Sequence, residues 1–204
     1  SEIFFYQQLN EGNLSKKLAA KYGISLISYA RNDFSKAFNL INDILEQVEK
    51  NSLQFKTTIL QSFIIELMIA KKNYVQALKT VEDIKKEFPY SKSISRLYFD
   101  SLVKNEKKNE AINYLRGKTV LERENPKIYK LLAKTYAEIG KSALQHMALS
   151  DYYFYSGDIK YALEQLKIAR KSYDLTFYDE SIIDVREKNI RQIIRESEFK
   201  NKKK

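Results

Sequence analysis

His146 is the only imidazole in a chain of 204 residues that has no cysteine. Zinc is held by three or four nitrogen, sulfur or carboxylate ligands, so the His in Ser142-Ala-Leu-Gln-His146-Met-Ala-Leu-Ser150 lacks a second nitrogen or a thiolate to join it. Nucleophilic catalysis needs a nucleophile, a base and a group that orients the base, and no such spacing can be assigned around His146. The five glycines, Gly12, Gly23, Gly117, Gly140 and Gly157, are all isolated, which rules out a glycine-rich phosphate loop. The acid pairs Glu122/Glu124, Asp179/Glu180 and Glu196/Glu198 fall in polar turns or at helix ends, where carboxylates cap or are solvated, and nothing in the sequence points to a raised pKa. The aromatic run Tyr152-Tyr153-Phe154-Tyr155 alternates between packing and exposed positions of a helix, so core filling accounts for most of it. The expectation is therefore no catalytic set, no metal and no cofactor in this chain, with His146 a residue that packs between helices.

Charge offers a second kind of chemistry. The formal net charge is +10, and clustered cations gain affinity for phosphates by displacing counterions. The distribution argues for a solvated lysine-rich surface instead: residues 1–100 carry 14 basic and 11 acidic side chains, and residues 101–204 carry 22 and 15. Only eight of the 36 cations are Arg, the residue suited to bidentate phosphate and base contacts. No nucleic-acid partner is expected; RNA binding stands as a rival that would show affinity falling steeply with salt. No apolar run approaches the roughly 20 residues of a membrane span, so no transmembrane segment is expected either. Without cysteine, the redox compartment is left open.

The elements that would position these side chains are helical. Five Gly and two Pro are too few for the turns of an all-β domain, while Lys, Leu, Ile, Glu and Ala favour helix. The helices repeat. Phe34-Ser-Lys-Ala37-Phe38-x2-Ile41-x2-Ile44, Tyr74-Val-Gln-Ala77-Leu78-x2-Val81-x2-Ile84, Lys108-Asn-Glu-Ala111-Ile112-x2-Leu115 and Ile159-Lys-Tyr-Ala162-Leu163-x2-Leu166-x2-Ala169 superpose without gaps, their alanines 40, 34 and 51 residues apart. Thirty-four is the tetratricopeptide period, 51 is one and a half of it, and 40 implies an insertion. Each block follows a polar turn and places apolar residues at i, i+3, i+4 and i+7, one helix face on which the small Ala admits a partner helix.

The first helix of a pair is clearest in Tyr129-x2-Leu132-Ala133-x2-Tyr136-x3-Gly140, introduced by Pro126. Ser25 and Ser150 supply the small residue in two other first helices, whereas Ile65 and Phe99 occupy that position in the second and third and predict wider packing there. The periodicity predicts helices over 3–9, 14–30, 34–50, 52–70, 74–87, 92–104, 108–116, 126–139, 142–155, 158–172 and 179–197, with Asn13 and Asn125 as starts and Pro89 closing the second repeat. The fold class is all-α, a tetratricopeptide-type right-handed superhelical solenoid of antiparallel helix pairs. It is read as a single solenoid over 1–204: an N-terminal extension at 1–13, repeats over 14–175, a capping helix at 176–198 and a basic tail at 199–204.

The stretch Tyr136-Ala-Glu-Ile-Gly140-Lys-Ser-Ala-Leu-Gln-His146-Met-Ala-Leu-Ser-Asp-Tyr152-Tyr-Phe-Tyr-Ser-Gly157-Asp-Ile-Lys-Tyr-Ala162-Leu-Glu-Gln165-Leu166-Lys-Ile-Ala169 resembles the C-terminal tetratricopeptide domain of periplasmic zinc metalloproteases related to the beta-barrel assembly-enhancing protease. Tyr22-Gly23-x-Ser-Leu26 to Ala37 resembles the start of the same domain, so the likeness runs from about residue 14 to about residue 195, with 91–125 matching only as generic repeats. The resemblance implies a periplasmic location and protein partners: the chain's own protease domain, the barrel-assembly machinery and unfolded outer-membrane proteins. The HExxH helix that would hold zinc is absent, so zinc is expected only on a protease domain outside this sequence. A generic scaffold or co-chaperone unrelated to any protease is the alternative.

A concave face made by first helices is where such a module binds. The register places there Tyr22, Leu26 and Tyr29 in the first repeat, Ile59 and Glu66 in the second, Arg96 and Asp100 in the third, and Lys127, Lys130 and Lys134 in the fourth. The carboxylate-gripping clamps of cytoplasmic co-chaperones need Lys and Asn on successive first helices, but Tyr22, Leu26 and Phe63 stand at the corresponding positions.

Overall fold

The amphipathic stripes of the sequence become α1 (Glu2–Glu11), α2 (Leu14–Ala30), α3 (Phe34–Lys50), α4 (Thr58–Ala70), α5 (Tyr74–Glu87), α6 (Lys92–Lys104), α7 (Lys108–Leu121), α8 (Pro126–Glu138), α9 (Ser142–Tyr155), α10 (Ile159–Arg170) and α11 (Phe177–Asn201). The structure, a computed structural model, describes residues 2–51 and 58–201, the last five as backbone only. The expected helix over 52–70 is seen from Thr58; its first six residues, like 202–204 of the basic tail, lie outside the described residues, and 199–201 continue α11. Two ends differ by more than a turn. Helix α7 runs on to Leu121 instead of stopping at 116, because a glycine inside a helix costs only about 1 kcal/mol and Gly117 sits in open space. Helix α11 starts at Phe177 and continues to Asn201, its first turn set by Thr176, whose hydroxyl accepts from the Asp179 N–H at 3.1 Å while donating to the Asp179 carboxylate at 2.6 Å.

The helix starts obey local chemistry. Asn13, Asp33, Ser91 and Asn125 each accept a hydrogen bond from an N–H two or three residues on, at 3.0, 3.1, 3.4 and 3.2 Å. The turns between paired helices are more telling. Asn32, Lys72, Glu106, Gly140 and Gly157 all have positive φ (62°, 62°, 59°, 71° and 88°), at spacings of 40, 34, 34 and 17 residues. The next N–H in four of these turns, from Asp33, Asn73, Lys141 and Asp158, reaches back at 2.9 Å to the carbonyls of Ser28, Met68, Tyr136 and Tyr153. This Schellman closure turns each helix into its neighbour, and its recurrence at 34 residues and at half that period marks the repeat in the backbone itself.

Because a left-handed backbone costs a residue with a Cβ about 1–2 kcal/mol, Lys72→Gly is expected to stabilise the chain by about 0.5 kcal/mol, the greater freedom of the unfolded glycine offsetting part of the gain. Gly157→Ala, where no neighbour would touch the new methyl, is expected to cost about 1 kcal/mol from φ alone. Urea unfolding of the two variants against the parent gives both signs.

The described chain divides into two compact units, Ser1–Glu106 and Lys107–Lys204. In the first, α1 lies on α2, the Phe5 ring so close over Gly23 that a Cβ there would meet it at 2.5 Å, with Glu2 paired to Arg31 at 2.7 Å. The expected N-terminal extension thus belongs to this unit's packing. Ile24, Ile41, Ile65, Leu67, Ile94 and Leu97 form its interior, all at or below 1% exposure, and each such burial stabilises by roughly 1.5–3 kcal/mol. Ile65 of α4 and Ala133 at the same position of α8 are both buried. In the second unit Met147, Ala162, Leu166, Ala169, Ile183 and Ile190 make one cluster joining α9, α10 and α11. The four anchoring alanines Ala37, Ala77, Ala111 and Ala162 are fully buried.

Candidate functional site

The sequence-predicted residues of the first unit do come together. Tyr22 and Tyr29 of α2 set their rings against Phe63 of α4, at 5.9 and 5.5 Å between centroids. Glu66, one turn further along α4, holds Arg96 of α6 at 2.5 Å, and Arg96 also faces Asp100 at 3.7 Å. Burial, with the Glu66 charge nearby, pushes the Tyr22 phenol above its ordinary value. Leu26 and Ile59 remain exposed. The face is aromatic, and its charges are already paired with one another.

In the second unit the expected lysines form one exposed stripe. Lys127, Lys130 and Lys134 are exposed along α8, with the Lys130 ammonium over the Tyr152 ring at 5.6 Å, and none of the three lines the unit's large cleft. That cleft, about 790 Å³, is bounded by α7, α8, α9 and α11. The face of α8 turned to it carries Tyr129, Leu132 and Tyr136, each a helical turn from the last and on the opposite side from the lysines. From α9 come Met147, Ser150, Asp151 and Phe154; α7 adds Arg116 and Val120, with Arg123 just beyond its end; α11 adds Tyr178, Ile182 and Arg186. The tyrosines, which read as core positions of the generic repeat, line the cleft together with Leu132.

The polar groups of the cleft are closely ordered. Tyr129 and Tyr155 stack at 5.2 Å with 15° between planes. The Tyr129 hydroxyl donates to the Arg123 carbonyl at 2.8 Å, and the Arg123 Nε donates to the Tyr155 hydroxyl at 3.2 Å. Burial raises the Tyr129 and Tyr136 phenols, so both stay protonated donors throughout the neutral range. Asp151 is paired with Arg186 at 3.0 Å, and Arg186 also donates to the Met147 carbonyl at 3.3 Å. Burial pushes the Asp151 carboxyl up to about 6 in spite of the opposing pull of Arg186. Ser150, 1% exposed, has a buried hydroxyl with no hydrogen-bond partner. On the rim Val120 and Tyr178 are 81% and 74% exposed.

This is binding chemistry, built from apolar floor, phenol donors and guanidinium groups. His146, deep in the motif, hydrogen-bonds through Nδ1 to Gln165 Oε1 at 2.8 Å and so ties α9 to α10. Among the described residues no three His, Asp or Glu side chains gather into a metal-holding group, and no helix is long and apolar enough to cross a membrane.

Antiparallel helix hairpins turned by left-handed residues at a 34-residue interval define a tetratricopeptide-type all-α fold. Solved structures of this kind align over most of the chain. The chain described as "MamA 41-end", from Desulfovibrio magneticus RS-1, matches 88% of this chain and 96% of its own length, with a TM-score of 0.57 and 15% identity. A tetratricopeptide repeat protein from Parabacteroides merdae matches 93% of this chain and 76% of its own, with a TM-score of 0.56 and 14% identity. At these identities the likeness is one of fold. No family model matches the sequence, and no curated protein does.

Proposed function

We propose that this chain is a protein-interaction module whose second unit holds a partner segment in the cleft between α7, α8, α9 and α11, and that it serves a periplasmic zinc metalloprotease acting in outer-membrane β-barrel assembly and quality control. The cleft carries the first half of the reading: a floor of Leu132, Met147 and Phe154 ringed by tyrosines and arginines, opening onto the exposed Val120 and Tyr178. Exposed apolar side chains around a polar-lined hollow are what a partner covers. The second half is supported by the sequence resemblance over Tyr136–Ala169, whose residues here make the scaffold: Gly140 and Gly157 turn the helices and His146 links to Gln165. In this reading the zinc and its hydrolytic chemistry reside on the protease domain. The present residues capture a barrel protein or an assembly factor and present it to that domain.

The test is site-specific photo-crosslinking in cells carrying the natural reading frame, with the crosslinking residue at Val120 or Tyr178 and, for comparison, at Lys127 or Lys134. Adducts containing an outer-membrane β-barrel protein or an assembly component, formed from the cleft positions, are expected. Adducts confined to the lysine face, or none with such proteins, would discard the assignment.

A further inference from the structure

The charges of the cleft are unevenly satisfied. On the α11 side Arg186 is neutralised by Asp151, and the buried Asp179 is held by Thr176. On the α7 side two cations form no direct ion pair among the described residues: Arg116, which lies near the Tyr136 phenol, and Arg123, whose Nε is used by the Tyr155 hydroxyl and which feels Asp151 only at longer range. Between these cations and the opposite wall lies the apolar floor. Arg116 and Arg123 are seven positions apart along α7 and its exit, on the order of 10 Å at 1.5 Å per helical residue, which about three extended residues span.

Resting on the proposed interaction function, we infer that the cleft takes an extended internal peptide segment in which two acidic side chains flank a large apolar one. The acids face Arg116 and Arg123. The apolar side chain descends to Leu132, Met147 and Phe154. Two separated cations fit two side-chain carboxylates along a passing chain better than the single carboxylate of a terminus. A nucleic acid fits less well. Its bases need free aromatic faces, but Tyr129 and Tyr155 stack on each other.

The experiment is fluorescence anisotropy with the full chain and labelled peptides of about eight residues, amidated at the C-terminus, carrying Glu on both sides of a Phe-Leu pair. Parallel probes replace both Glu by Gln, move a single carboxylate to a free C-terminus, or substitute a uridine oligonucleotide. The acidic peptide is expected to bind about tenfold or more tightly than its Gln counterpart, and Arg116→Glu with Arg123→Glu is expected to abolish that difference. Circular dichroism verifies that each variant is folded. Equal binding of Glu and Gln peptides, retention by the double variant, or preference for the free terminus or the oligonucleotide overturns the inference. Absence of binding by every peptide overturns it too. The crosslinking readout is independent, so barrel-protein adducts from Val120 with no acidic preference would leave the wider reading intact and sink only this one.

Discussion

Replacing Leu166 by alanine is expected to destabilise the second unit by about 3–4 kcal/mol, toward the upper part of the range for leucine truncation. Leu166 is fully buried in the middle of α10, and it touches the cluster formed by Met147 of α9 and Ile183 and Ile190 of α11. Its neighbours on the same stripe, Ala162 and Ala169, are equally buried and already let the helix backbones approach. With so little side chain left to move, the walls cannot collapse into the space, and the cavity term adds to the lost transfer energy. Val185→Ala, on the exposed side of α11, serves as the control and is expected to stay within about 0.5 kcal/mol. Urea unfolding followed by circular dichroism reads both. A loss of less than about 1 kcal/mol at Leu166 would mean that α10 and α11 do not pack through this cluster.

The second large effect is a pH dependence at Asp151. Two influences compete on this carboxyl, burial beneath the cleft and the charge of Arg186 at 3.0 Å, and burial prevails, moving its pKa from the ordinary 3.8 up to about 6. A raised carboxyl pKa means that the folded chain holds the proton more tightly than the unfolded chain. Its contribution is therefore fully present below about pH 4 and is lost as pH rises through about 6. The side chain is 20% exposed, so the full conversion of the shift, about 3 kcal/mol, is an upper bound. In Asp151→Asn the titrating group is gone while its shape is kept. The stability of the parent relative to this variant is expected to decline by up to about 3 kcal/mol between pH 4 and pH 7, measured as urea unfolding across the series. If the parent instead gained on the variant with rising pH, Arg186 would outweigh burial, and the carboxylate would be an ordinary ion-pair member.

Much of the helical framework was legible before any coordinates. Ala37, Ala77, Ala111 and Ala162 sit in polar-bounded blocks with an apolar stripe at helical spacing, and a residue that must let another helix approach is both small and periodic. The starts at Asn13 and Asn125 were equally readable, because capping is a contact within one turn. The end of α7 was not, since Gly117 lowers helix propensity by an amount that tertiary packing overrides. In the first unit, the grouping of Tyr22, Tyr29, Glu66, Arg96 and Asp100 followed from the register of α2, α4 and α6. The cleft of the second unit was not legible, because the 51-residue interval shifts the pattern by half a repeat and α9 serves both α8 and α10.

By itself the sequence determined the all-α class, the repeat and the helix limits to within a few residues in most elements. These depend on local propensity and on periods of 3.6 and 34 residues, which are written along the chain. Only the tertiary structure decided that Tyr129 and Tyr136 line a cleft, that Lys127, Lys130 and Lys134 do not, and that Arg116 and Arg123 share it with the ion pair of Arg186 and Asp151. The reason is that a side chain's burial and its charge partners are set by which helices from distant parts of the chain come to lie beside it, and periodicity within one helix carries no information about that choice.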